Sequence, residues 1–180
     1  IIPYDNGYYA EFTVNSFSEC WLSLDDIKPA ASSICPGSNF SFTASTSGTT
    51  YQWQVDNGSG FTNISNGPNY TGVTTATLQL INLPTSFTGY KYRCVVDGIN
   101  GNATTLRFTT IWNGNTSVDW LTASNWNCNV VPDQYTDVII PGNINNSPQL
   151  NADTAVRTVR VYPNIQVLIK NGFKLDIKGN

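Results

Sequence analysis

The chain has 180 residues, of which 40% are hydrophobic and 12% aromatic, enough to bury a core in one large or two small domains. Its net charge of −3 and its nine scattered Lys and Arg residues argue against nucleic-acid binding, which needs a basic patch. No apolar run approaches the ~20 residues of a membrane-spanning helix, so we predict no membrane insertion. Charged residues make up only 12%, and Asn, Thr, Ser and Gly fill the polar positions, which suits a β-rich extracellular protein.

Residues 1–27 contain two segments that are typical of short strands. Between residues 8 and 14, apolar side chains alternate with more polar ones, the period of a half-buried strand. A second apolar segment follows at residues 17–24. Because two short strands do not form a domain alone, this part is predicted either to end a preceding β-module or to donate strands to another sheet. The chain has no Met, so we expect a processed subunit or a piece of a longer protein.

Residues 28–110 are predicted to form a β-sandwich. Short β-forming runs recur with turn residues between them, among them Asn57-Gly58, which favours a tight hairpin turn. Regular short strands separated by such turns are typical of all-β sandwiches. The predicted strands cover residues 29–33, 40–44, 51–55, 61–64, 77–81, 90–96 and 104–110.

The order of a few residues in this segment is that of an immunoglobulin-like sandwich. Cys35 precedes Trp53, which precedes Tyr92 and Cys94 in a Tyr-x-Cys motif. In that fold, a disulfide between the two sheets packs on the buried Trp, and the Tyr hydroxyl ties down a corner. The resemblance therefore implies a Cys35–Cys94 disulfide, with Trp53 and Tyr92 in the core.

Residues 111–180 have a different pattern, with a Trp-rich start followed by short apolar runs. The runs at 137–141, 158–161, 165–169 and 174–177 are predicted strands, with Asn and Gly at the bends. This spacing indicates either coils of a β-solenoid or a second sandwich, and the module is predicted to be incomplete because a solenoid needs stacked neighbours. No segment shows helical periodicity of useful length, so the whole chain is predicted to be all-β.

Several motifs resemble modules of large secreted and cell-surface proteins of Bacteroidetes, which are exported by the type IX system. The middle segment is similar to their Ig-like modules through Cys35-Pro36-Gly37, Tyr51-Gln52-Trp53-Gln54 and Tyr92-Arg93-Cys94. The last segment is similar to a second module through Trp112-Asn113-Gly114, Asp119-Trp120, Asn125-Trp126, Val131-Pro132 and Val138-Ile139-Ile140-Pro141. The resemblance implies a role in gliding or adhesion, or a place beside the catalytic domain of a secreted polysaccharide-degrading enzyme. The C-terminal sorting domain of that system is not recognisable in the chain.

Catalytic arrangements are largely excluded by composition. The chain has no His, which removes Ser-His-Asp and Cys-His nucleophile systems, and its cysteines form no CxxC pair, which removes the usual zinc sites. Carboxylate pairs remain, but nothing in their spacing selects a glycosidase pair, so we predict surface acids and no enzyme. The pairs considered are Glu11 with Glu19, Asp25 with Asp26, and Asp133 with Asp137.

Three Trp residues are candidates for a ligand surface. Trp112, Trp120 and Trp126 could stack on sugar rings, because an aromatic face offers apolar contact with a polar rim. The alternative is that they pack together and hold the irregular start of the last module. Their exposure distinguishes a polysaccharide-binding role from a structural one.

Metal and modification sites have weaker signals. Asp5, Asp25, Asp133 and their neighbours could supply oxygen ligands to calcium, but no EF-hand pattern is present and Asx turns explain the same residues. We therefore predict no cofactor and no metal, with calcium as the alternative. The Asp-Thr-Ala motif at Thr154 resembles the O-glycosylation motif of Bacteroidetes and makes Thr154 a candidate modification site.

Two cysteines remain once the Ig-like pair is assigned. Cys20 and Cys128 either bond to each other, which would tie the N-terminal residues to the last module, or bond between neighbouring chains. Disulfides indicate an oxidising compartment and therefore an extracellular or cell-surface location.

Three hypotheses of function follow. The first is a non-enzymatic structural or adhesive module that contacts neighbouring modules. The second is a polysaccharide-binding accessory module of a secreted glycoside hydrolase. The third concerns assembly, in which the N-terminal strands of one copy complete a sheet of the next copy and build a head-to-tail filament.

Overall fold

The computed structural model describes residues 34–179 and, before them, only the backbone of three short strands. The described part of the chain is all-β, with two single 3-10 turns at Thr85–Phe87 and Ala123–Asn125, and none of its helices is long and apolar enough to cross a membrane. The strands are β1 Ile2–Tyr4, β2 Gly7–Tyr9, β3 Ile27–Lys28, β4 Phe40–Ala44, β5 Tyr51–Asp56, β6 Phe61–Asn63, β7 Tyr70–Thr71, β8 Thr77–Leu80, β9 Lys91–Val96, β10 Ile99–Asn100, β11 Thr104–Thr105, β12 Phe108–Ile111, β13 Thr136–Ile140, β14 Gln149–Leu150, β15 Thr154–Val156, β16 Thr158–Val161, β17 Leu168–Ile169 and β18 Leu175–Ile177.

The first region, which we call the sandwich, covers residues 34–107 together with β3. One sheet has the order β3-β4-β8-β7, and the other has the order β10-β9-β5-β6 with β11 also paired to β9; all pairs are antiparallel. Alternate residues of each strand face the other sheet, and the largest of them form one buried cluster: Phe42, Trp53, Leu78, Leu80 and Tyr92. This architecture agrees with the predicted Ig-like sandwich.

The second region, which we call the parallel stack, covers residues 108–179. The chain passes through β13, β14 and β15 and then through β16, β17 and β18, and each strand of the second coil pairs in parallel with its counterpart in the first. This is the coil-on-coil arrangement of a β-solenoid rather than that of a second sandwich. Its own buried cluster combines the Trp-rich start with apolar residues of the first coil: Trp112, Trp120, Trp126, Val138, Ile140, Leu150 and Val156.

The predicted strand at residues 104–110 is wrong in one respect. The structure divides it into β11, which pairs antiparallel with β9 of the sandwich, and β12, which pairs parallel with β13 of the stack. Residues 104–111 form one run of β-forming residues with no turn residue inside it, but β11 is half-buried, β12 is mostly buried, and the two belong to different sheets. Strands β14 and β15 were not predicted, while the predicted strand at 29–33 and most of the N-terminal segments lie outside the described residues.

Candidate functional site

The two regions meet at β12, which belongs to both. The backbone N–H of Thr109 donates to the carbonyl oxygen of Ile34 at 3.0 Å, on the sandwich side. On the other side, β12 pairs in parallel with β13. Phe108 is buried in the sandwich cluster, and Trp112, just after the strand, is buried in the cluster of the stack. A single short strand therefore connects the two cores without a linker.

A disulfide between Cys35 and Cys128 closes this junction, with the two Cα atoms 5.4 Å apart. Both cysteines flank β12, because Ile34 pairs with Phe108 and the N–H of Asn127 donates to Ile111. The predicted Cys35–Cys94 disulfide is therefore wrong. A Cys20–Cys128 bond is excluded for the same reason, since Cys128 is already bonded; Cys20 itself lies outside the described residues.

The reason for the different pairing is the position of Cys35 along the chain. Cys35 precedes the first residue of β4, so it lies at the edge of the sandwich and not between its sheets. The strand position that faces the second sheet is taken by Phe42, whose ring lies 6.3 Å from that of Trp53 and 5.4 Å from that of Tyr92, centroid to centroid. Cys94 is left as a buried free thiol, and its burial raises its pKa.

The core residues of the sandwich are held by hydrogen bonds that the sequence pattern did not specify. Trp53 is fully buried and donates its indole N–H to the carbonyl oxygen of Thr75 at 2.9 Å. The Tyr92 hydroxyl shares a 2.8 Å hydrogen bond with the hydroxyl of Tyr70 on β7 in the opposite sheet. Tyr92 thus links the two sheets through a side chain, and its burial raises its pKa.

Polar side-chain contacts also join the sandwich to the stack at the junction. The Thr85 hydroxyl, in a turn of the sandwich, donates to Asp133 of the stack at 2.5 Å, and Asp133 also accepts from the Thr136 hydroxyl at 2.8 Å. Asp137 accepts from Arg157 at 2.5 Å in an ion pair that is mostly buried. These carboxylates are engaged in structural contacts and do not form an open pair across a cleft.

Arg107 lies close to this ion pair, where the sandwich ends. The partial burial of Arg107 lowers the pKa of its guanidinium, and the positive charge of Arg157 lowers it further. The negative charge of Asp137 has the opposite effect and raises this pKa. Even a lowered Arg pKa leaves the group charged at neutral pH, so Arg107 adds a second positive charge near Asp137, whose ion pair is with Arg157. The described residues contain no group of three or more Cys, Asp or Glu side chains placed to hold a metal ion.

The three Trp residues proposed as ligand aromatics are all fully buried. Trp126 packs edge-on against Trp112 and Trp120, with centroid distances of 4.9 and 4.8 Å, and its indole N–H donates to the carbonyl oxygen of Trp120 at 2.9 Å. Of the two alternatives for these rings, sugar stacking is therefore excluded, because none has an exposed face, and packing at the start of the last module is the one that agrees with the structure. They bury apolar area at the irregular start of the stack.

A residue missed by sequence reasoning organises this start. Asn125 is fully buried, and its side-chain oxygen accepts from the backbone N–H groups of Thr116 at 3.0 Å and Ser117 at 2.9 Å. Its amide donates to the Ser117 hydroxyl and to the carbonyl oxygen of Asp119. In the sequence, Asn125-Trp126 contributes only to the resemblance to secreted modules, and no local pattern indicates that Asn125 forms hydrogen bonds along the loop from Thr116 to Asp119.

One cleft of about 280 Å³ lies at the loop end of the sandwich, away from the junction. Cys94 and Val96 line it, with Ile99 exposed at its rim. Asp97 joins two loops there by accepting from the backbone N–H groups of Thr49 and Thr50. A thiol with a raised pKa stays protonated at neutral pH and is a poor nucleophile.

Thr154, the candidate O-glycosylation site, lies on β15 with its side chain half-buried. Its backbone N–H donates to the carbonyl oxygen of Lys174 in the second coil. Modification of Thr154 stays a prediction.

In a comparison with known protein families, residues 33–107 match the family model of the immunoglobulin domain. The matched range coincides with the sandwich and stops where β12 begins. No curated protein and no solved structure gives a significant match to the chain.

Proposed function

We propose that this chain is a non-enzymatic extracellular module with a structural or adhesive role, which holds two β-regions as one rigid spacer. The observation that carries the proposal is the junction, where both regions share β12 and the Cys35–Cys128 disulfide closes around it. A spacer transmits position and force only if its parts keep a fixed orientation. The shared strand β12 and the Cys35–Cys128 disulfide fix the orientation of the two regions without a flexible linker.

An extracellular location is supported by the disulfide, because such bonds persist in oxidising compartments. The Ig domain match supports an interaction module, since this domain type commonly mediates contacts between proteins. The resemblance to modules of secreted Bacteroidetes proteins adds the context of a cell-surface or secreted protein. Neighbouring modules or copies of the same chain are then the expected partners.

The absence of catalysis and of cofactors is part of the proposal. Ig domains are typically non-catalytic, and Asp133 and Asp137 are already bonded to Thr85, Thr136 and Arg157. The free thiol of Cys94 is buried and protonated at neutral pH. These features favour a structural use of the polar side chains.

The rigidity of the junction can be measured by residual dipolar couplings in a dilute alignment medium. We expect one alignment tensor to fit the backbone couplings of both regions of the oxidised protein. The variant Cys35→Ala with Cys128→Ala should need two different tensors, while the control Cys94→Ala should keep one. Two tensors for the oxidised wild-type protein would contradict a rigid spacer.

The polysaccharide-binding alternative predicts a different result. With Trp112, Trp120 and Trp126 buried, we expect no retention of the protein on cellulose or chitin in pull-down assays. Retention that is lost on substitution of an exposed aromatic, such as Tyr162→Ala, would favour the accessory-module role instead.

A further inference from the structure

The second coil, residues 158–178, presents three strand edges that have no partner among the described residues. β16 pairs only with β13, β17 only with β14, and β18 only with β15. The opposite side of the stack differs, because β13 is covered there by β12, and β14 by the bridge from Asp119 to Gln149. Unpaired N–H and C=O groups along a strand edge are a template for another strand.

The same coil carries most of the exposed apolar side chains. Six of the ten large hydrophobic residues that are exposed in the described part of the chain belong to it: Val161, Tyr162, Leu168, Ile169, Phe173 and Ile177. Leu168 and Ile177 are more than half exposed, at 52% and 56%. Exposed apolar side chains concentrated in one coil, beside unpaired strand edges, are typical of a protein interaction surface.

The second coil is also basic. It contains Arg160, Lys170, Lys174 and Lys178 against one acidic residue, Asp176, to which Lys178 is paired. Lys170 and Lys174 make no ion pair with any described residue. The surface therefore suits an acidic, partly apolar partner that can form β-strands.

Residues 1–27 have that chemistry. They contain no Lys or Arg and five of the twelve acidic residues of the chain: Asp5, Glu11, Glu19, Asp25 and Asp26. Their sequence is rich in aromatic and β-branched residues, which favour strands, and β1 and β2 pair there as an antiparallel hairpin. At the end of this segment, β3 at Ile27–Lys28 pairs with β4 in the sandwich, so residues 1–26 and the second coil belong to different regions of the chain.

We propose that residues 1–27 of one copy dock on the second coil of another copy, adding β-strand to its unpaired edges. The two surfaces differ, so the contact is head-to-tail, and its repetition without ring closure produces a chain of copies. Acidic side chains of the donor face Lys170 and Lys174, and its apolar side chains cover Leu168 and Ile169. This inference deepens the proposed structural role by naming the partner, but it does not depend on the rigidity of the junction.

Sedimentation velocity over a range of protein concentrations tests the contact. We expect the average mass to rise with concentration beyond that of a dimer, and to fall at ~1 M salt because screening weakens the charge attraction. The variant Lys170→Glu with Lys174→Glu should weaken the association at least tenfold. Adding Asp25→Lys and Asp26→Lys to the same chain should restore it, since the signs are then exchanged. Lys91→Glu, on an exposed position of the sandwich, is the control and should change nothing.

The apolar contribution to the association can be tested with a matched pair of substitutions, one in the second coil and one outside it. Leu168→Asn should weaken the association, whereas Leu121→Asn, at a position 46% exposed but outside the second coil, should leave it unchanged. Circular dichroism of each variant shows whether the fold is kept. A monomer at every concentration, an association that stops at a dimer, or one that is insensitive to salt and to both charge reversals would overturn the proposal. None of these results changes the alignment-tensor measurement, so the two proposals fail separately.

Discussion

The sandwich and the parallel stack bury their cores in different ways. In the sandwich, the two antiparallel sheets cover each other, so alternate residues such as Phe42 and Trp53 find partners within the same region. In the stack, each coil covers only the next one, so the second coil exposes Leu168, Ile169 and Ile177. The stack therefore leaves apolar side chains of its second coil exposed, whereas the two sheets of the sandwich cover each other.

The two regions also use tryptophan differently. Trp53 lies between the two sheets beside Phe42, and its N–H donates to the carbonyl oxygen of Thr75. Trp112, Trp120 and Trp126 pack on one another, and the N–H of Trp120 has no partner among the described residues. The stack therefore depends on an aromatic cluster where regular strand pairing is absent, between β12 and β13.

The largest effect is expected at the covalent link between the regions. Cys35→Ala with Cys128→Ala opens a loop with a sequence separation of 93 residues, which in the chain-entropy model lowers the free energy of unfolding by about 4–5 kcal/mol. Urea denaturation measures the loss, and Cys94→Ala, which removes only a buried thiol, should lower the free energy by about 1 kcal/mol. A disulfide-linked peptide joining Cys35 to Cys94 in a non-reducing digest would contradict the structure.

Loss of the Trp cluster should lower the free energy of unfolding nearly as much, but the effect should be confined to the parallel stack. Trp126→Ala leaves a cavity between Trp112 and Trp120, which should lower the free energy of unfolding by about 3–5 kcal/mol. Hydrogen exchange should show lost protection in the stack and retained protection in β5 and β9 of the sandwich. Leu121→Ala, on the surface of the same region, should change stability by less than about 0.5 kcal/mol. Equal loss of protection in both regions would mean that they unfold as one unit.

Asn125 tests whether polar bonds hold the start of the stack. Asn125→Ala leaves the buried N–H groups of Thr116 and Ser117 without their acceptor, which should lower the free energy of unfolding by about 2–3 kcal/mol. The exposed neighbour Asn115 is the matched control, since Asn115→Ala removes no bond of this network. If the two variants are equally stable in thermal denaturation, the network contributes nothing.

The smallest effect is local to the sandwich and depends on pH. Hydrogen bonds from the backbone of Thr50 and then Thr49 lower the pKa of Asp97 below its usual 3.8. Its contribution to holding the loop is therefore present above the unfolded pKa and is lost as pH falls through the lower folded pKa. Amide chemical shifts of Thr49 and Thr50 should move only in that acid range. The shift should vanish in Asp97→Asn and persist in Asp56→Asn, which affects a separate turn.

Much of the sandwich could be predicted because its signals are local. Alternation at 40–44 and 51–55 predicted β4 and β5, and the turn at Asn57-Gly58 predicted the hairpin between β5 and β6. The split at residues 104–111 could not be predicted, because no Gly, Pro or Asn separates β11 from β12 in the sequence, and only the tertiary structure shows that the two strands pair in different sheets. The short strands β14 and β15 have too few residues for a periodic pattern.

The sequence by itself determined the all-β class, the Ig-like sandwich and the buried status of its signature residues, because alternation and turn residues act over a few positions. Only the tertiary structure decided the partner of Cys35, since a disulfide requires two Cα atoms within about 7 Å and not a particular motif order. It also decided that Trp112, Trp120 and Trp126 face one another and not solvent. The shared strand β12 brings about both outcomes, because it draws Cys128 beside Cys35 and starts the core of the stack where that of the sandwich ends.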